Sequence, residues 1–211
     1  MTTLQLTNAT KESAKVYITL GATPGCVQDV SHLVFSDASI KITALAPLMG
    51  FFSLNPGSTF IAAPTNLGFN GNISFDTPPM NCKSPELSNG MNLAEFIINN
   101  GFQDGNPQET IDNSCVCGAN AVIKFDLSAD DWAANYGKIA VTSFQNKSWD
   151  NNTGIVGVFP YGCDNCTAST SPPDCIGLQP QFANTDPICN VQRNAKSNKG
   201  GNVHITFLGY L

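Results

Sequence analysis

What most constrains this chain is a series of short segments that alternate apolar and polar residues with a period of two, each closed off by Gly, Pro or Asn. Val16-Tyr17-Ile18-Thr19-Leu20, Ile73-Ser74-Phe75, Val122-Ile123-Lys124-Phe125 and His204-Ile205-Thr206-Phe207 are typical. Successive side chains of a strand point to opposite faces, so each segment can bury one face and leave the other polar. Such strands recur from end to end with no helical pattern between them and no internal repeat. That predicts an all-β chain, an antiparallel sandwich or barrel forming one domain over residues 1–211. One segment departs from the pattern. Ser128 is a good N-cap, Asp130 and Asp131 sit where a helix dipole favours acids, and Gly137 supplies a stop, so 128–137 is expected to be a short helix.

Composition narrows the partners. Only 12% of residues are charged, the net charge is −6, and the basic residues are one arginine, Arg193, and nine scattered lysines. A nucleic-acid partner needs a clustered basic footprint and is excluded. No run approaches the roughly 18 apolar residues of a membrane-spanning helix. No phosphate loop, Gly-x-Ser-x-Gly or His-Glu-x-x-His motif is present, so no cofactor or resident metal is expected. The two histidines, His32 and His204, are assigned structural roles, and the chain is expected to be monomeric.

The eight cysteines are Cys26, Cys82, Cys115, Cys117, Cys163, Cys166, Cys175 and Cys189, an even number that fits four disulfides in an oxidising compartment. Half of them fall in a Cys-, Pro-, Asn- and Gly-rich stretch, about 161–201, which ends in the basic loop Arg193–Lys199. With so little apolar surface to bury, this stretch is expected to be a disulfide-stapled loop region. Cys163-x-x-Cys166 with Cys175 and Cys189 is an alternative zinc set, though its spacings are not those of a common ribbon. Glycosylation acceptors at Asn8, Asn72, Asn146, Asn151 and Asn165 are compatible with secretion. Met1-Thr2-Thr3 leads straight into a strand with no signal peptide, so the expectation is a secreted chain carrying an added start Met, with a cytosolic, reduced protein as the alternative.

The candidate chemistry lies between Asn92 and Asn120. Glu95 interrupts the apolar alternation Leu93-Ala94-Glu95-Phe96-Ile97-Ile98, and Asp112 follows in Ile111-Asp112-Asn113-Ser114. A buried, unpaired carboxylate is costly, so Glu95 must face water or line a polar cleft.

These residues resemble a thaumatin-like protein. In that family a Leu-Ala-Glu-Phe run precedes a Tyr-Asp-Ile-Ser…Gly-Phe-Asn segment, matched here by Leu93–Phe96, by Ile111–Ser114 and by Gly118-Ala119-Asn120. Leu4–Asn8, Phe52–Ser58, Gly71–Thr77 and Asn202–Phe207 are similar to further family strands, in the right order along essentially the whole chain. The resemblance implies a flattened β-sandwich and a cysteine-rich loop region with an acidic cleft between them, associated with β-1,3-glucan binding and, in some members, weak glucan hydrolysis. The family's cleft Glu falls on Glu95 and its first Asp on Asp112. Its Arg falls on Asp76 and its second Asp on Cys117, and its last Asp has no counterpart.

Without its cation, a cluster of Asp76, Glu95 and Asp112 would raise at least one carboxyl pKa. That suits a general acid beside a carboxylate, a hard-cation site, or three separately solvated acids. The resulting expectation is a secreted, defence-type protein that binds a polysaccharide through Asp76, Glu95 and Asp112 with little or no catalysis. Its rivals are a scaffold presenting loops such as the apolar run Ala46–Phe52, and a weak β-1,3-glucanase with Glu95 as general acid and Asp112 or Asp76 positioning water.

Overall fold

The computed structural model describes residues 1–33, 35, 37–62, 67–78, 91–100, 108–114, 120–129, 131–134, 148–150, 190–197 and 199–210. Thirteen strands run through them, in chain order β1 (Thr2–Asn8), β2 (Ala14–Leu20), β3 (Thr43–Ala46), β4 (Met49–Leu54), β5 (Thr59–Ala62), β6 (Phe69–Phe75), β7 (Leu93–Ile98), β8 (Gln108–Ser114), β9 (Ala121–Leu127), β10 (Ala133–Ala134), β11 (Ser148–Asp150), β12 (Asn190–Asn194) and β13 (Gly201–Tyr210). They form a five-stranded sheet in the order β11-β9-β13-β1-β5 and an eight-stranded sheet in the order β10-β12-β8-β7-β6-β2-β4-β3. Every pairing is antiparallel except one: β1 and β13 lie side by side in parallel, Leu4 opposite Val203 and Leu6 opposite Ile205.

The alternation in the sequence becomes the two faces of each sheet. In β1, β7 and β9 every second residue is buried. The inward sets, among them Leu4, Leu6, Ile18, Ile73, Phe96, Ile123, Phe125 and Ile205, make one core between the sheets. Phe75 of the large sheet stacks on Phe207 of the small one, ring centroids 4.3 Å apart and planes 14° from parallel. Burying each such side chain stabilises the fold by about 1.5–3 kcal/mol.

The expected helix is absent from 128–129 and 131–134; the helical element among the described residues is a single 3-10 turn at Val30–His32, capped by Asp29. Ala133–Ala134 instead pair with Val191 and Gln192. Tertiary demand overrides the local capping signal. Trp132 is buried under the Arg193 guanidinium, 4.2 Å from its ring centre, and Asp131 accepts from Arg193 and from the Lys199 backbone. A capped helix start would have to give up those bonds.

Arg193 itself corrects a second expectation. It belongs to β12, and its side chain is buried rather than part of a basic loop. Its Nε donates to Glu109 Oε2 at 2.6 Å, Nη1 to Asp131 Oδ1 at 2.6 Å and Nη2 to Thr2 Oγ1 at 2.6 Å. Glu109, with none of its surface exposed, also accepts from the Thr2 hydroxyl at 2.9 Å and from the Asn99 backbone N–H at 2.5 Å. Asn99, at a left-handed φ of 55°, clamps Thr2 on both sides: its Oδ1 accepts from the Thr2 N–H and its Nδ2 donates to the Thr2 carbonyl. The group ties β1 of the small sheet to β7, β8 and β12 of the large one.

At the far edge of the large sheet, the apolar run Ala46–Phe52 is a hairpin, not a free loop. β3 is exposed throughout, with Leu45 at 52%, whereas Phe52 is buried. The edge is short, and the pairing slips between Ala44 and Ala46, two features that discourage addition of a further strand.

Two outcomes follow. Glu109→Gln or Arg193→Met, each stranding one partner of a buried pair, should cost about 3–5 kcal/mol in urea unfolding, and the double variant Glu109→Leu/Arg193→Met much less than the sum. His204, on the outer face of the small sheet and bonded to Thr7 Oγ1 at 2.9 Å, has its pKa held below the ordinary imidazole value by desolvation, with Asp126 opposing and Lys124 assisting. A depressed folded-state pKa means that folding favours the neutral ring. Its contribution is complete above about pH 6.5 and is lost as pH falls below that value. His204→Gln should flatten that part of the stability-against-pH curve, and an NMR titration should place the His204 midpoint below that of a free imidazole.

Candidate functional site

The outward face of the eight-stranded sheet is polar where the inward face is apolar, and the register lines up its residues. One row crosses five strands, Thr19 opposite Asn72, Asn72 opposite Glu95, Glu95 opposite Asp112 and Asp112 opposite Asn190. Beside it runs Asn70, Ile97, Thr110 and Gln192. At about 4.8 Å between strands, the first row spans roughly 19 Å.

A depression of about 320 Å³ lies over these rows, lined by Thr19, Leu20, Gly21, Asn70, Gly71, Asn72, Glu95, Phe96, Ile97 and Thr110. Thr19, Asn70, Asn72, Glu95, Ile97 and Thr110 are all half-buried, as side chains forming a shallow wall should be. Gly71 permits β6 to lie this close to β2, since a Cβ there would come within 2.0 Å of the Thr19 carbonyl oxygen. Asn70 Nδ2 is used locally, donating to Thr23 Oγ1. Thr19 Oγ1 and Asn72 Oδ1 are buried and have no hydrogen-bond partner among the described residues. Buried polar atoms are nearly always satisfied, so these two oxygens in adjacent strands stand out, as do single atoms of Asn100, Asn120 and Asn202 elsewhere.

The residues expected to form an acidic cluster are separated. Glu95 and Asp112 are cross-strand partners. Asp76 lies just beyond β6, four residues past Asn72 and hence roughly 13 Å further along the strand direction. It is exposed, at a left-handed φ of 61°, and its charge acts on Tyr210 of the small sheet, whose phenol is held above its ordinary pKa chiefly by burial and then by Asp76. Glu95 lies half-buried on the outward face, in the wall of the depression, and Asp76 stands elsewhere. Among the described residues no group of three His, Cys, Asp or Glu is placed to hold a metal ion.

Sequence reasoning did not assign Thr19, Asn70 or Thr110 to the site, and took Asn72 as a glycan acceptor. The alternation in Phe69-Asn70-Gly71-Asn72-Ile73 sets both asparagines on the outward face, and that was the available signal. Which strands flank β6 was not in the sequence. Asn8, another acceptor triplet, is fully buried, its Nδ2 donating to the Glu12 and Leu54 carbonyls at 2.8 Å each, so it is not a glycan site.

Of the eight cysteines, Cys26 alone falls among the described residues. Cys26 is a free thiol, 4% exposed, packed against Gly68. The other seven cysteines, the zinc-type spacing among them, lie outside the described residues, as do Asn146, Asn151 and Asn165. Desolvation pushes the Cys26 thiol up to about 11, so it is inert rather than nucleophilic.

No family model matches the chain, and no curated protein is similar to it in sequence. Among solved structures, it is similar to a thaumatin-like xylanase inhibitor, TLXI, at 11% identity and a TM-score of 0.41, with 97% of this chain and 98% of that one covered. It is also similar to the protein elicitor MoHrip2 from Magnaporthe oryzae at 11% identity and a TM-score of 0.36, with 98% of both chains covered. At that distance the likeness assigns no activity. Among the described residues no helix is long and apolar enough to cross a membrane.

Iodoacetamide should leave Cys26 unmodified in the native protein and alkylate it after denaturation without reductant, as peptide mapping would show. Labelling of Cys26 only after reduction would instead establish a bridge.

Proposed function

We propose that the protein is an extracellular, defence-type carbohydrate-binding protein whose ligand, a cell-wall type of polysaccharide, lies along the polar rows of the large sheet and is gripped at the depression around Glu95. The observation that carries this reading is the depression itself, whose wall sets half-buried Glu95 among the polar side chains of Thr19, Asn70, Asn72 and Thr110. Sugar hydroxyls both donate and accept hydrogen bonds at close spacing, which suits a wall of carboxylate, amide and hydroxyl groups. The sequence resemblance supports the same place, because the two acids it carries over, Glu95 and Asp112, are cross-strand partners. It also makes β-1,3-glucan the first polysaccharide to test.

Binding is favoured over hydrolysis by the position of Asp76. One of the two acids considered for positioning water lies roughly 13 Å away along the strand direction, which leaves the Glu95 and Asp112 pair alone. The shallow depression leaves the rows exposed to water, whereas efficient acid catalysis on a sugar needs an environment that holds one carboxyl protonated.

The purified protein should co-sediment with one member of a panel of insoluble β-1,3-glucan, cellulose, chitin and deacetylated chitin. Glu95→Gln should weaken retention by about tenfold, the value of a lost charge-assisted hydrogen bond, with the unfolding midpoint unchanged. Retention by none of the four would sink the reading. Reducing sugar released by the wild type and not by the variant would replace it with the hydrolase.

A further inference from the structure

At one end of the sandwich both sheets break their regular geometry beside the same stacked rings, Phe75 and Phe207. On the large sheet, β6 ends at Phe75, and Asp76 follows at its left-handed φ of 61°. On the small sheet, the pairing of β13 with β9 shifts between Phe207 and Gly209, so that Leu208 has no partner in β9 and Gly209, at a φ of 134°, stands opposite Val122.

This bulge changes where Tyr210 points. In an unbroken alternation Tyr210 would share the outward face with His204 and Thr206. The extra residue instead sets it opposite Ala121, whose side chain is buried in the core. Tyr210 accordingly meets Phe207 edge to face, 5.0 Å between ring centres at 66°, and half of its surface stays open to water. Asp76 arrives at the same place from the other sheet. Asn120, next to the Ala121 that pairs with Tyr210, donates from Nδ2 to the Phe75 carbonyl at 2.8 Å, and the Asp76 charge acts on the Tyr210 phenol. Asp76 is exposed, and neither its carboxylate nor the Tyr210 hydroxyl has a hydrogen-bond partner among the described residues.

Bulges re-aim side chains and gather beside binding sites, and a non-glycine residue at left-handed φ is uncommon. Two such irregularities, one on each sheet, here bring an open aromatic ring beside an open carboxylate. A pyranose fits that combination: its C–H face packs on the ring, and neighbouring hydroxyls donate to the carboxylate. A lone exposed carboxylate holds a simple cation weakly, whereas the sugar uses ring and carboxylate together. Resting on the carbohydrate reading above for the class of ligand, we propose that Tyr210 and Asp76 form a second sugar contact, in which one pyranose unit of the polysaccharide stacks on Tyr210 and is held by Asp76. Asp76 lies roughly 13 Å beyond Asn72 along the strand direction, so one long polymer engaging both places would gain by avidity.

The test is an NMR titration of the full chain with soluble hexamers of β-1,3-linked glucose, β-1,4-linked glucose and β-1,4-linked N-acetylglucosamine, and separately with spermidine. One hexamer should shift the Tyr210 ring resonances, and Glu95→Gln should leave that shift in place. The affinity read from the Gly209 and Asn120 amides should fall about tenfold in Tyr210→Ser and about fivefold in Asp76→Asn, and be kept in Tyr210→Trp, with unfolding midpoints unchanged. Shifts at Tyr210 alone would uphold this contact and move the sugar site away from the depression. Shifts at Glu95 and Thr110 without any at Tyr210 and Gly209 would overturn the inference and leave the depression as the carbohydrate site, and so would an affinity unchanged in both Tyr210→Ser and Asp76→Asn. No shift with any hexamer would remove both readings. Tyr210 shifted by spermidine and by no hexamer would show a cation site and would likewise overturn the inference.

Discussion

The structure depends on one buried charge pair, Glu109 with Arg193. The two face each other across β8 and β12, and every polar atom around them is spoken for: Thr2, Asn99 and Asp131 complete the set, and Trp132 covers the guanidinium. A buried pair of this kind contributes little net stability compared with an apolar pair of the same shape, because taking both charges out of water is expensive. Its larger effect is on register. Strand side chains have a period of two, so a one-residue slip of β8 against its neighbours would turn Glu109 outward and leave Arg193 as an uncompensated charge in the core. The only alignment without that penalty is the observed one.

That constraint reaches the candidate site because the two lie on opposite sides of the same strands. Glu109 points into the sandwich; its neighbour Thr110 points out and lines the depression, across from Ile97. Asn99, which bonds Glu109, follows the strand that carries Glu95. Fixing β7 against β8 from behind therefore fixes Glu95 against Asp112 in front. The inward pair thus provides the rigidity on which the arrangement of the outer face depends.

How much of this is legible in the sequence follows from which interactions are local. The all-β class is legible in the period-two alternation, since burial of one face needs nothing beyond the segment itself. Glu95 stands out for the same reason, as a polar residue in an apolar alternation. The helix expected at 128–137 is not found over its described residues, because Asp131 and Trp132 answer to Arg193, some 60 residues away in the chain. Arg193 was placed in a basic loop because its partners Glu109 and Thr2 are equally remote. Cys26 was counted toward a bridge by parity alone, and only packing against Gly68 shows it to be a sealed thiol. In each case a long-range contact overrides a local signal.

The same distinction explains why the three acids part company. Glu95 and Asp112 are joined by strand pairing, which register enforces, whereas Asp76 sits after the last paired residue of β6, where the chain turns through a left-handed φ of 61°. A residue that leaves the ladder is no longer bound to the face its alternation implies. Asp76 accordingly acts on Tyr210 of the other sheet and is not among the residues lining the depression. The polarity of the depression is therefore set by the residues that the ladder holds, Glu95 among them.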